Sequence, residues 1–297
     1  MSWPRGNPGF GREGARFPGS FLLALKKGLT AKRWEISEWQ GHHLFCRDPE
    51  GREQILDLGQ LYRRARAEDR HHWPHLIETW LETIPHGIPC LENWEAIAQR
   101  ILVLLGSLPF FQAVDEPLWC EPLSDPLAVS LVVDFPQALS YFTPEIIDQS
   151  GRSPREWLDV ALDNLQSRTP DAWSKMLLPE MGLRQSIVGD GYDSSRALIV
   201  SRLLPEYREH GYFVVVPDRD LLLVAPTTRA SVQQLPALKA VAVKYFQNAQ
   251  RPLCDDVFWV HEGRWHPFEF QVDGDHISVL PVEAFQPVYE RLPPESD

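Results

Sequence analysis

Two apolar runs, Tyr212-Phe213-Val214-Val215-Val216 and Leu221-Leu222-Leu223-Val224-Ala225, are separated only by Pro217-Asp218-Arg219-Asp220. Short runs of β-branched and aliphatic residues bounded by turn formers read as strand, turn, strand. Just upstream stands Gly189-Asp190-Gly191-Tyr192-Asp193-Ser194-Ser195-Arg196, which runs into a helix-like segment from Ala197 to His210. Glycine opens backbone angles closed to other residues, and an Asp or Ser side chain accepts a hydrogen bond from the orphan amides of a first helical turn. The block therefore has the chemistry of a turn at a helix start.

The rest of the chain alternates in the same way. Residues 1–19 hold Pro4, Gly6, Pro8, Gly9, Gly11, Gly14, Pro18 and Gly19 with few aliphatics, and are expected to form a flexible tail. An N-terminal α-β-β-α-α unit is expected over 20–105. It comprises a helix at Phe21–Leu29, a hairpin through Trp34 and Leu44-Phe45-Cys46, and helices from Gly59 and from Pro74. Trp94, Ile97, Ala98 and Ile101 repeat at helical spacing, and Ile101 to Leu105 is a continuous apolar run, so a helix feeding a strand is expected there.

Residues 106–297 are expected to form a larger α+β domain, mainly an antiparallel sheet with helices packed on it. Its strands fall at Leu127–Asp134, Gln137–Thr143 and Gly182–Val188, in the pair already described, and in a last hairpin through Phe258 and Trp265. Its helices fall at Ser153–Arg168, at Ser231–Asn248 and, in short form, within Asp171–Leu178.

Charge and cysteines limit the function classes. The net charge is −12, yet residues 1–33 carry +6 and the remainder −18. An acidic body argues against binding nucleic acid through phosphate neutralisation, and the basic start suits an acidic partner or the acidic body of a neighbouring subunit. Cys46, Cys90, Cys120 and Cys254 are widely spaced and form no C-x-x-C pair, so buried free thiols are expected rather than a disulfide framework or a zinc site. His42, His43, His71, His72 and His75 raise the question of a metal, but Pro74 stands between His71 and His75 and leaves His71 outside the first helical turn, so the pair need not share a face. No metal and no cofactor is assigned. No run approaches the length of a membrane span, and a cytoplasmic protein without membrane association is expected.

The blocks Leu127–Thr143, Ser153–Arg168, Gly189–Arg196 and Val216-Pro217-Asp218-Arg219-Asp220 resemble, in order and approximate spacing, the YtpQ-like bacterial proteins, a family of unknown function. The resemblance runs from about residue 20 to 270. Its specific part is the D-G-Y-D-[AS]-S-R block with the V-P-x-x-D turn. It implies an intracellular bacterial protein and supplies no reaction.

The candidate site residues are Asp190, Tyr192, Asp193, Ser194 and Arg196. As a binding or catalytic set, the two acids and Ser194 can offer oxygens to a divalent cation, and Tyr192 a proton. As a structural set, Asp193 caps the helix, Arg196 pairs with Asp190 or Asp193, Tyr192 packs over the turn and the glycines permit the bend. No phosphate-binding, nucleophile-elbow or zinc-protease motif accompanies them. No catalytic residue is assigned, and the reading leans away from an enzyme. It favours a non-enzymatic protein-interaction module that presents a groove or sheet edge to a protein partner or to a second copy. The alternative is a small-molecule or metal-dependent enzyme with its site at the Gly189–Arg196 loop.

Overall fold

The computed structural model describes residues 17–40, 43–51, 53–83, 94–112, 117–135, 139–273, 276–280 and 282–294. In chain order the elements begin α1 (Gly19–Ala31), β1 (Glu35–Gln40), β2 (His43–Arg47), β3 (Glu53–Asp57), α2 (Leu58–Ala67), α3 (Trp73–Thr83) and α4 (Trp94–Ala98). They continue β4 (Ile101–Ser107), α5 (Leu108–Gln112), β5 (Cys120–Ser124), β6 (Leu127–Asp134), β7 (Leu139–Tyr141), α6 (Pro144–Ser150) and α7 (Pro154–Arg168). Next come β8 (Ser174–Leu178), β9 (Leu183–Ser186), α8 (Val200–Leu203), β10 (Tyr212–Asp218), β11 (Leu221–Pro226), α9 (Arg229–Gln233) and α10 (Leu235–Gln247). The chain closes with β12 (Val257–His261), β13 (Arg264–Phe268), β14 (Phe270–Asp273), β15 (His276–Val279) and α11 (Gln286–Arg291). The chain is α+β, built from antiparallel strand pairs and helices. Among the described residues no helix is long and apolar enough to cross a membrane.

The chain divides into two compact units, one of residues 1–102, 114–119 and 131–157, the other of 103–113, 120–130 and 158–297. This differs from a single cut after residue 105, because residues 131–157 join the first unit. Strands β4 and β6 run through the division. The first half of β6 pairs with β5 and its second half with β7.

In the first unit, β1, β2 and β3 form a three-stranded sheet in which β3 pairs antiparallel with β2. Phe21, Leu25 and Leu29 repeat along one side of α1 and pack with Trp34, Leu44, Leu56, Leu61, Trp73, Ile77 and Trp80. Burying each such side chain stabilises by about 1.5–3 kcal/mol. The buried indole of Trp73 meets its hydrogen-bonding need by donating to Ala65 O at 2.6 Å. Phe17, read from the sequence as part of a tail, is buried against Phe21 and Tyr62, with ring centroids 5.4 and 5.2 Å away. Residues 1–16, His42 and Cys90 lie outside the described residues.

The second unit holds a six-stranded sheet in the order β13-β12-β10-β11-β9-β8. Phe213, Val215, Leu221, Leu223 and Ala225 join Leu235, Leu238 and Ala242 of α10 in one core. The alternate residues Tyr212, Val214, Val216, Leu222 and Val224 are equally buried. Such two-sided burial explains why β10 and β11 read as continuous apolar runs.

Three segments depart from their expected structure. Ala197–His210 is not one helix: a 3-10 segment (Ser194–Ile199) leads into the single turn α8 and a further 3-10 turn (Pro205–Tyr207). Pro205 has no amide to donate and holds Leu204 outside the helical region, at φ −127° and ψ 76°. Asp171–Leu178 supplies strand β8 instead of a short helix, because pairing with β9 overrides weak local preference. The helix expected over Ser231–Asn248 is split at Gln234 into α9 and α10. Thr228 and Ser231 close a capping box on α9, and Pro236 occupies the first turn of α10.

Candidate functional site

Gly189 and Gly191 adopt φ of +79° and +89°, the left-handed conformations that the sequence reserves for glycine. They let the chain leave β9 and fold back beside it. Asp193 is fully buried, and its carboxylate explains the fold-back. Oδ1 accepts from Ser186 Oγ at 2.8 Å and Val188 N at 2.6 Å, and Oδ2 from Gly189 N at 2.8 Å. Asp193 is therefore not the helix cap expected from its position. Its backbone is already helical, with φ −58° and ψ −48°, and its side chain makes no capping bond. The carboxylate reaches backward to the strand end that the sequence places before it.

Arg196 is also fully buried and forks onto Asp190, with Nη1–Oδ1 at 2.9 Å and Nη2–Oδ2 at 2.7 Å. Its Nε donates to Thr169 Oγ1 at 3.2 Å, and Nη1 stands 3.7 Å from Asp193 Oδ1. Asp190 Oδ1 further accepts from Tyr192 N at 3.0 Å. Burial raises the pKa of the Asp190 carboxyl, but the bonds and charge of Arg196 outweigh it and hold the group below its usual 3.8. Ser195 Oγ accepts from Leu105 N at 2.9 Å. Tyr192 is buried, as packing over the turn requires.

A residue the sequence reading did not single out ties this loop to the β10–β11 turn. Arg219 Nε donates to Gly191 O at 3.0 Å, and Ser194 N donates to Arg219 O at 3.1 Å. The turn is fastened in its own right. Asp218 Oδ1 accepts from Asp220 N at 2.8 Å, and Oδ2 from Gln250 N at 2.8 Å and Arg251 N at 3.1 Å. Arg251, itself buried, pairs with Asp220. The available signal was compositional: three charged residues between two wholly apolar strands must find partners in a turn that is largely buried.

The set thus occupies one connected polar network. The oxygens that a cation would need already accept N–H and O–H donors, and the Arg196 guanidinium takes the place of a cation between the acids. Ser194 differs. Its Oγ is buried and has no hydrogen-bond partner among the described residues. Among the described residues no group of three or more His, Cys, Asp or Glu side chains is arranged to hold a metal ion. His71 and His72 bring their rings to 4.0 Å from one another on the turn before α3. No family model, curated protein or solved structure matches this chain.

Proposed function

We propose that this chain is a non-enzymatic protein-interaction module of the bacterial cytoplasm, in keeping with its resemblance to the YtpQ-like proteins, and that it offers strand β8 to an extended segment of a protein partner. The observation that carries the reading is the free side of β8. It stands last in the six-stranded order and, among the described residues, pairs with β9 alone. An edge strand leaves a row of backbone donors and acceptors that only another extended chain satisfies in register. Met176 and Leu178 on this strand are 39% and 42% exposed, and Ile187, just past the paired end of β9, is 62% exposed. These apolar side chains give a partner strand something to bury.

The opposite edge is less receptive. Strand β13 carries Pro267, which has no amide to donate. On β8, Lys175 and the register shift between Met176 and Leu178 limit indiscriminate edge pairing while leaving the apolar side chains available. A second reading, a small-molecule or metal-dependent enzyme at the Gly189–Arg196 loop, has in its favour the buried, unpartnered Ser194 hydroxyl.

Extended peptides selected from a display library against the full chain test the first reading through hydrogen exchange. A bound peptide is expected to slow exchange at residues 174–178, and the double variant Met176→Asp/Leu178→Asp is expected to weaken it at least about tenfold, the loss of roughly 1.4 kcal/mol. Protection confined to another surface, or unchanged binding by the double variant, overturns the reading.

A further inference from the structure

At the end of the sheet away from β8, the β12–β13 hairpin gathers Arg264 and two imidazoles, His261 and His266, that make no ion pair among the described residues. The antiparallel register places Trp259 opposite His266 and His261 opposite Arg264. Residues two apart on a strand share a face, so all four project to the same side. The Trp259 indole forms the floor. It is buried, it donates Nε1–H to His210 O at 3.0 Å, and it meets Phe285 edge-on at 5.0 Å. The His261 ring stacks on it at 4.9 Å with an interplanar angle of 11°, and the His266 ring lies 5.2 Å from it. Both imidazoles are thereby held beside one rigid surface.

Among the described residues no carboxylate pairs with these three side chains. Glu209 lies 3.8 Å from His210 Nε2, while Glu262 in the hairpin turn and Glu283 beside Phe285 make no ion pair with His261, Arg264 or His266 among the described residues. Lys239 of α10 is engaged with Asp255 and Asp256. Partial burial first, and then the neighbouring Arg264 and His261, hold the His266 imidazole below its usual 6.5.

We propose that His261, Arg264 and His266 form a binding site for a phosphate-type oxyanion. A guanidinium supplies a fork of N–H donors, and each imidazole, when protonated, adds another from its own place on the shared face. This spread suits the tetrahedral array of phosphate oxygens better than a planar carboxylate, which one guanidinium already satisfies. An anion favours protonated imidazoles, so affinity falls as the rings lose their protons with rising pH. The site is independent of the partner strand proposed at β8.

Histidine-resolved NMR titration of the full chain in sodium phosphate, against sodium chloride of equal ionic strength, tests it. Phosphate is expected to shift the His261 and His266 ring resonances in a saturable manner, and more strongly at lower pH. Arg264→Ala, at an exposed position, is expected to keep the circular dichroism of the parent and to weaken phosphate at least about tenfold. A parallel titration with a phosphoserine peptide distinguishes the sources: tighter binding than inorganic phosphate assigns the site to a phosphorylated chain, and equal binding to free phosphate. Identical histidine titrations in the two salts, a response that never saturates, an equal response to acetate, or an unchanged Arg264→Ala variant overturns the proposal.

Discussion

Arg219 Nε lies 3.0 Å from Gly191 O, and the Arg219 carbonyl receives the amide of Ser194 at 3.1 Å. Two segments separated by a broken helix and a core strand are thus fastened at their most polar points. Arg219 is buried, so truncation leaves the Gly191 carbonyl short of this donor in a place with little water. Arg219→Ala is expected to destabilise by about 1–3 kcal/mol, read as a lower urea midpoint with an unchanged slope. An unaltered midpoint would show that the bond is replaced without cost.

Asp193 gives a sharper test, because three donors converge on its carboxylate. A helix cap would tolerate Asn, whereas here one end of an Asn amide must turn N–H groups toward the Ser186 hydroxyl and Val188 amide or toward the Gly189 amide. Asp193→Asn is expected to cost about 1–3 kcal/mol. Asp193→Ala, which also removes the nearby counter-charge of buried Arg196, is expected to cost about 3–5 kcal/mol. Chemical unfolding of both variants decides the matter, and near-parental stability of Asp193→Asn would restore the capping role.

The Asp190–Arg196 pair makes stability depend on acid. The folded pKa of Asp190 lies below the ordinary 3.8, so its contribution is fully present above the unfolded value and is lost as pH falls through the folded one. Unfolding free energy measured from neutral pH down past 3.8 is therefore expected to drop less steeply in Asp190→Asn than in the parent. Equal slopes would mean that the pair is solvated in the folded chain.

Thiol reactivity follows burial. Burial pushes the Cys254 thiol up to about 12 and raises Cys46 too; it also raises Cys120, which is only half-buried and so the more accessible of the three. Because the thiolate is the nucleophile, iodoacetamide at mild alkaline pH is expected to modify Cys120 well before Cys46 and Cys254 in the native chain. Peptide mapping after a timed quench reports the order, and early labelling of Cys254 would contradict it.

Gly211 provides a steric test beside the indole of Trp259. It has φ +76°, and an added Cβ would meet Val260 O and, at 2.8 Å, Trp259 Nε1. Gly211→Ala is expected to lose about 2 kcal/mol or more, from backbone strain together with overpacking. A melting temperature equal to the parent's would show that the strand ends shift freely.

Wherever a segment's own residues outvoted its surroundings, the sequence was sufficient. Continuous apolar runs ended by turn formers located β4, β6, β10 and β11, because burial on both faces leaves no other use for such runs, and the Glu262-Gly263 turn located the β12–β13 hairpin. The pairing of Arg196 with the nearby acids followed equally from short range. Other features depended on partners distant in sequence. Ser174–Leu178 became a strand because β9 was there to pair with it, and Phe17 left the supposed tail because Tyr62 and Phe21 offered it a place in the core. The direction in which Asp193 reaches, and its linkage through Gly191 and Ser194 to Arg219, were settled by tertiary structure alone. A buried carboxylate takes whichever donors the folded chain brings within about 3 Å, and local sequence does not contain that distance.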